Sequence, residues 1–227
     1  MAMDFVDVWQ GCINQESDDY SRAWSVLDTA EQAQAHKITS AVRHKEYVQI
    51  HAQLRYTLAN TIQQAPEKIV INKTATGKPY LADYPDLVFN ISHTTDLFLI
   101  AIAKNCQLGI DVEQRRSRLN LNGLVSKCFS EEEQTYWRQL ADVEQLSIFY
   151  KYWTRKEAFV KATGQGIVLG LNQCVIDANN INQFLSIPKQ CTAVNDWFVY
   201  DLDVGEQHFA ALVTDQARFA VRQFRLV

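Results

Sequence analysis

The 227-residue chain is poor in the residues that punctuate linkers: eight glycines and four prolines, gathered nowhere. That excludes low-complexity spacers and collagen-like repeats. Its five cysteines, Cys12, Cys106, Cys128, Cys174 and Cys191, are scattered and odd in number, with no C-x-x-C pair. Neither a zinc ribbon nor a redox dithiol is supported, and scattered thiols fit a reducing, cytoplasmic setting. Basic residues are in the minority, 22 Lys and Arg against 26 Asp and Glu for a net charge of −4, so no nucleic-acid partner is expected. A local basic pocket for a small phosphorylated ligand remains compatible with that balance. The longest apolar run, Leu97 to Ala103, is too short to cross a bilayer, and no membrane partner is expected. The N-terminal Met1-Ala2-Met3-Asp4-Phe5 lacks a basic, apolar secretory signal. What is present is an ordinary globular mixture, 47% hydrophobic and 21% charged, enough to build a core without staples.

Periodicity then gives an element order. Asp4 to Gln10 alternates weakly as a first strand. Thr29-x-x-Gln32 fits a capping box, and Tyr47, Ile50, Leu54, Leu58 and Ile62 recur at helical spacing. Thr76-Gly77-Lys78-Pro79 reads as a turn. Leu87 to Ile91 and Leu97 to Ala103 form a hairpin around His93-Thr94-Thr95-Asp96, and Leu108 to Glu113 follows as a third strand. Ser130-x-x-Glu133 opens a second helical region, and a helix from Asp142 to Thr163 stops at Gly164. Strands are predicted at Cys174–Asp177, Trp197–Leu202, Phe209–Val213 and Phe219–Leu226. This order is α+β, with antiparallel strands and a seam near residues 105–109.

Candidate chemistry is concentrated in a few places. In Asp111-Val112-Glu113 the strand period puts both carboxylates on one face and Ile110 and Val112 on the other. Such a pair suits a hard cation such as Mg²⁺, or is simply the solvated face of a sheet. Glu157 and Lys161 share a helix face, as a plain ion pair or as a carboxylate and ammonium beside a phosphate. Ser92-His93 ends a strand, where an imidazolium can hold phosphate or a histidine can merely close a turn. Gly77-Lys78 permits close approach of an anion but lacks the rest of a Walker motif. Glu133 occupies the N3 place of its capping box, where it would cap the helix. No G-x-S-x-G is present, so a serine-hydrolase reading has little support.

Taken together, Lys73-Thr74-Ala75-Thr76-Gly77-Lys78-Pro79, Phe89-Asn90-Ile91-Ser92-His93, Gly109-Ile110-Asp111-Val112-Glu113, Phe129-Ser130-x-x-Glu133 and Trp153-Thr154-x-Lys156-Glu157-Ala158-Phe159-x-Lys161-Ala162-x-Gly164-x-Gly166 resemble the 4′-phosphopantetheinyl transferases of the long, single-chain Sfp type. The resemblance covers roughly residues 73–166, in family order. It implies two similar α+β halves, each an antiparallel sheet packed with a long helix, here residues 1–108 and 109–227, with the active site in the cleft between them. It implies transfer of the phosphopantetheine arm of coenzyme A to a serine of an apo acyl or peptidyl carrier protein, by a monomer. Asp111, Glu113 and Glu157 would hold Mg²⁺, or Mn²⁺. Lys161 would steady the pyrophosphate. Ser92 and His93 would bind phosphate oxygens, and Lys73, Gly77 and Lys78 the nucleotide end. Glu157, then Glu133, would be the general base. Where the family carries an upstream basic cluster this chain has Glu31, Gln32 and Gln34, which leaves Arg43, among His36, Lys37 and Lys45, for the 3′-phosphate. The segment from Leu119 to Val125 is the expected exposed apolar docking patch for the carrier. The alternatives are a Mg²⁺-dependent phosphodiesterase or nucleotide hydrolase, and a non-catalytic carrier-binding relative.

Overall fold

The computed structural model describes residues 5–13, 19–116, 120–166, 169–216 and 220–226. The chain opens with β1 (Phe5–Cys12), two short helices α1 (Tyr20–Val26) and α2 (Thr29–His36), and the long α3 (Ala41–Ile62). Strands β2 (Ile71–Lys73), β3 (Pro79–Leu81), β4 (Leu87–His93), β5 (Leu97–Lys104) and β6 (Leu108–Gln114) follow. Helices α4 (Leu121–Cys128), α5 (Glu131–Gln139) and α6 (Asp142–Thr163) precede β7 (Val175–Ile176), β8 (Phe184–Ser186), β9 (Phe198–Asp201), β10 (His208–Thr214) and β11 (Ala220–Arg225).

The fold is α+β. One sheet has the order β11-β1-β5-β4 and another β6-β10-β9; β2-β3 and β7-β8 are small hairpins. Strand alternation explains the layering. On β5, Phe98, Ile100 and Ile102 meet Ile50, Leu54 and Leu58 of α3, while Leu97, Leu99 and Ala101 turn to the other side. There they join Val6, Val8, Ile110, Val112 and Leu212 between the two sheets. On β10, Ala211 and Val213 face Phe159 and the rest of the core under α6. The order of layers is α3, sheet, sheet, α6.

The sheets meet at β4 and β6 through side chains. Asn90 Oδ1 accepts from the Ile110 amide at 2.8 Å and Ser92 Oγ from the Val112 amide at 3.2 Å. These bonds substitute for a backbone ladder and fix the register of β6 against the end of β4. Gly109 is required here, because a Cβ would lie 2.0 Å from the Ala158 carbonyl oxygen of α6. The helix therefore sits directly on the strand that carries Asp111 and Glu113.

Three sequence expectations shift. The C-terminal strand, Ala220–Arg225 rather than Phe219–Leu226, pairs β1 in parallel and rejoins the first sheet, so the strands are not all antiparallel; residue 219 lies outside the described residues, as does Asp4 at the expected start of β1. The box before α2 is Asp28 with Glu31, one residue ahead of Thr29 and Gln32. Asp28 wins because its carboxylate also pairs with the buried Arg55 at 2.6 Å. Leu121 and Leu124 are partly buried against the α6 core instead of forming an exposed patch, and residue 119 lies outside the described residues.

Candidate active site

A cavity of about 870 Å³ opens between α3, the ends of β4 and β6, and the middle and C-terminal turns of α6. Arg43, Tyr47 and His51 line one wall, Ser92 and His93 the floor, and Asp111, Glu113, Trp153 and Lys161 the far wall. Arg43, Tyr47 and His51 are four residues apart on α3, so they share a face. His51 is stacked on Tyr47, with ring centroids 3.9 Å apart, and its Nδ1 lies 3.0 Å from Glu31 Oε1. Glu31 accepts from Arg55 at 2.5 Å, which ties that wall to α2. Burial pushes the Tyr47 phenol up to about 12, so it stays protonated as a donor.

The acidic wall comes from two elements. β6 presents Asp111 and Glu113 opposite its core face, and α6 carries Trp153, Glu157 and Lys161 at intervals of four; Trp153 and Lys161 line the cavity, and Glu157, between them, feels the charges of Asp111, Glu113 and Lys161 without being among the lining residues. Asp111 is only 4% exposed. Its Oδ1 accepts from Lys161 Nζ at 2.6 Å and from Ser92 Oγ at 2.9 Å, while its Oδ2 is buried with no hydrogen-bond partner among the described residues. Lys161 also donates to Ser92 Oγ at 2.9 Å and to the Ile110 carbonyl at 3.2 Å. Glu113 accepts from Trp153 Nε1 at 3.1 Å. Burial, reinforced by the Asp111 charge, raises both the Glu113 and the Glu157 carboxyl above the ordinary range, and Lys161 partly offsets this. Burial and the neighbouring Lys161 lower the His93 imidazole.

Among the described residues no three His, Cys, Asp or Glu side chains form a ready-made metal cage. The donor set nonetheless suits a hard divalent cation. Its donors are carboxylate oxygens, one is buried without a partner among the described residues, and two neighbours are pushed towards protonation by burial and by the Asp111 charge. A solvated acidic face would show none of these features.

The other expected residues fall elsewhere. Glu133 is 3% exposed and fully engaged. Its Oε2 accepts from Lys156 Nζ at 2.6 Å and from the Ser130 amide at 2.8 Å, and its Oε1 from the Ile176 amide at 2.8 Å. It joins α5, α6 and β7 and does not line the cavity, so the geometry gives no support to Glu133 as a base. Lys78 also lies off this cavity, with Nζ donating to the carbonyls of Leu108 at 3.2 Å and Ala162 at 2.5 Å. Gly77 holds a positive φ of 89° in an exposed turn, and Lys73 ends β2; neither lines the cavity. Ser92 is present, but its hydroxyl is spent on Asp111 and on accepting from Lys161 and Val112. Sequence reasoning overlooked Tyr47 and His51 as site residues, which the four-residue spacing from Arg43 marks; Trp153, which the sequence suggests as a core residue, instead lines the cavity, as its four-residue spacing from Glu157 marks.

Residues 107–213 match the model of the 4′-phosphopantetheinyl transferase superfamily, and residues 11–105 that of the N-terminal part of a 4′-phosphopantetheinyl transferase. The 4′-phosphopantetheinyl transferase HetI of Nostoc sp. is 31% identical over 170 residues, 74% of this chain and 72% of that protein. The 4′-phosphopantetheinyl transferase gsp of Aneurinibacillus migulanus is 34% identical over 126 residues, 56% of this chain and 51% of its own length. The L-aminoadipate-semialdehyde dehydrogenase-phosphopantetheinyl transferase of Homo sapiens is 28% identical over 177 residues, 70% of this chain and 57% of its own. The chain thus spans little more than half of the latter two.

Proposed function

This chain belongs to the 4′-phosphopantetheinyl transferase superfamily, enzymes that move the phosphopantetheine arm of coenzyme A to carrier proteins, and we propose how its own residues carry that reaction. The acceptor is the serine hydroxyl of an apo acyl or peptidyl carrier protein. The hydroxyl oxygen bonds to the β-phosphorus of coenzyme A, the pyrophosphate bond breaks, and adenosine 3′,5′-bisphosphate leaves. The cytoplasm is the proposed setting and a monomer the working unit.

Arg43, on the α3 wall, and His93, on the floor, bind phosphate oxygens of coenzyme A. Lys73 and the Gly77 turn hold the nucleotide end from outside the cavity. Asp111, Glu113 and Glu157 would hold Mg²⁺, with Mn²⁺ as a substitute; the metal would supply Lewis-acid chemistry towards the phosphate oxygens. Lys161 keeps an ammonium beside Asp111, where negative charge grows as the bisphosphate departs. Glu157 receives the serine proton, directly or through a water, from the face of α6 that also carries Lys161 one turn later. Trp153 keeps the Glu113 carboxylate aimed along the wall.

The observation that carries this reading is the Asp111 carboxylate: paired to Lys161 through one oxygen, buried and unpartnered through the other, on a cavity wall. Intact mass spectrometry tests it. Apo carriers of the fatty-acid, polyketide and peptide-synthetase kinds are incubated with the protein, coenzyme A and Mg²⁺, with and without chelator. A gain of one phosphopantetheine arm, lost with chelator, is expected on at least one carrier. Carrier-independent breakdown of coenzyme A at a comparable rate would instead mark a hydrolase. No mass gain on any carrier, with coenzyme A bound and intact, would mark a non-catalytic relative.

A further inference from the structure

The turn between β2 and β3 belongs to a motif that the family resemblance places against the nucleotide, yet its lysine faces the opposite way. Lys78 Nζ donates at 2.5 Å to the carbonyl of Ala162 in the last turn of α6, and at 3.2 Å to the carbonyl of Leu108 at the start of β6. The Thr76 hydroxyl donates to the carbonyl of Gly164, the residue that ends α6 in the left-handed region at φ 68°. The aliphatic part of Lys78 covers Gly164 so closely that a Cβ there would lie 3.0 Å from Lys78 Cδ. The turn is itself rigid. Thr74 accepts at its hydroxyl from the Lys78 amide at 3.1 Å, and its own amide donates to the Lys78 carbonyl at 2.9 Å.

The last four carbonyls of a helix lack intrahelical donors, and the C-terminus carries partial negative charge. An ammonium driven into that end satisfies both. Lys161, immediately before Ala162, and Glu157, one turn earlier, project from this same end of α6. The helix can settle on β6 only where Gly109 admits it, since a Cβ there would meet Ala158 and Ala162 backbone at 2.0 and 2.4 Å. The turn at residues 74–78 presses on the end of α6, and Gly109 supports it along its length.

We propose that Lys78, with Thr76, is a positioning residue: it bolts the β2–β3 turn to the C-terminal turn of α6 and so fixes where Glu157 and Lys161 present their charges. The inference rests on the working roles given above to Glu157 and Lys161. It reassigns Lys78 from a direct ligand of coenzyme A to a clamp on the helix that carries those residues. Two of the three ammonium donors are already committed to backbone carbonyls. Burial lowers the amine to about 8, as expected for a group withdrawn from solvent.

The test compares wild type with Lys78→Met, which keeps the aliphatic stem, and Thr76→Val, which removes only the hydroxyl. Two readouts are taken: steady-state transfer kinetics in coenzyme A, and amide hydrogen exchange across residues 158–166. The clamp predicts that in Lys78→Met kcat falls about ten-fold or more while KM for coenzyme A stays within about two-fold, as for an interaction expressed in the transition state. It also predicts faster exchange in the last turn of α6, and the same changes, smaller, in Thr76→Val. A rise in KM with kcat and exchange unchanged would overturn the proposal and return Lys78 to the ligand. Should Lys78→Met not fold, Thr76→Val decides alone: exchange as slow as wild type overturns the clamp. If the wild type transfers no arm to any carrier, the functional reading fails, while the exchange experiment still reads the clamp by itself.

Discussion

Replacing Glu133 separates a structural carboxylate from a catalytic one. The side chain sits in a fully buried ion pair with Lys156, whose ammonium otherwise meets, among the described residues, the carbonyls of Cys128 and Leu171 and the face of Phe129. In Glu133→Gln one amide position must face a donor. If the NH₂ replaces Oε1 it meets the Ile176 N–H, and if it replaces Oε2 it meets Lys156 and the Ser130 N–H. The substitution therefore strands a buried ammonium or an amide, whichever way the side chain turns. Removing one partner of a buried pair costs about 3–5 kcal/mol. For a chain of this size that is a fall in Tm of roughly 6–20 °C, at about 2–4 °C per kcal/mol. The assay is thermal unfolding by circular dichroism, alongside transfer turnover per folded molecule well below the melting range. The expected result is a large drop in Tm with turnover per folded molecule within about three-fold of wild type, because a positioned general base is worth about 10²–10⁴ in rate and none is being removed. Adding Lys156→Met should recover part of the loss, since an apolar pair tolerates this site better than a lone charge. A Glu133→Gln protein that melts with wild type and loses two orders of magnitude in turnover would refute the reasoning and make Glu133 the base.

Three other outcomes follow from the acidic wall. Glu157→Gln should abolish transfer yet raise Tm by about 2–4 °C in the absence of divalent ions, on the order of 1 kcal/mol, because it relieves repulsion from Asp111 and Glu113; Mg²⁺ should raise the Tm of wild type and not of this variant, and a lowered Tm would count against the crowded-carboxylate account. Trp153→Phe keeps the ring and deletes the N–H that holds Glu113, so Mn²⁺ affinity followed by electron paramagnetic resonance should weaken about ten-fold, and an unchanged affinity would remove Trp153 from the site. The His93 imidazole is lowered by burial and Lys161, so the folded chain binds fewer protons than the unfolded one between that lowered value and about 6.5. Stability should therefore fall as pH drops through this window, less steeply in His93→Gln; equal slopes in urea titrations would contradict the assignment.

What the sequence revealed depends on the range of the interaction. The period of two in β6 placed Asp111 and Glu113 together and Ile110 and Val112 in the core, and the period of four placed Glu157 with Lys161. Those are local geometries, and a strand or helix cannot avoid them. The parallel pairing of β11 with β1 joins residues more than two hundred positions apart, with no local signal for it. Arg55 and Arg155, both buried, look like any surface arginine until Glu31 and Asp201 are brought to them. Lys78 was legible as a lysine in a glycine turn, but not as the cap of a helix 84 positions later. Side-chain chemistry alone cannot tell a lysine that waits for phosphate from one already holding carbonyls.

The helical motif from Trp153 to Lys161 shows why a conspicuous sequence can mislead about single residues. Thr154, Arg155, Lys156, Ala158 and Phe159 are buried and committed to the fold. Arg155 bonds the Ile181 carbonyl and pairs with Asp201, Lys156 pairs with Glu133, and Phe159 packs on Trp197. Only Trp153, Glu157 and Lys161, one per turn, are left less than fully buried, and Trp153 and Lys161 of these line the cavity. The two sets have opposite requirements. The buried ions need complete pairing, because leaving one unpaired costs about 3–5 kcal/mol. The acidic wall needs incomplete pairing, because a carboxylate fully satisfied by protein cannot take a cation or a proton. Asp111 shows the compromise: Lys161 and Ser92 hold one of its oxygens, and among the described residues nothing holds the other. Supplying Oδ2 with a protein donor should therefore stabilise the fold and suppress divalent-ion binding together, whereas gaining stability with ion binding intact would show that the cation enters elsewhere.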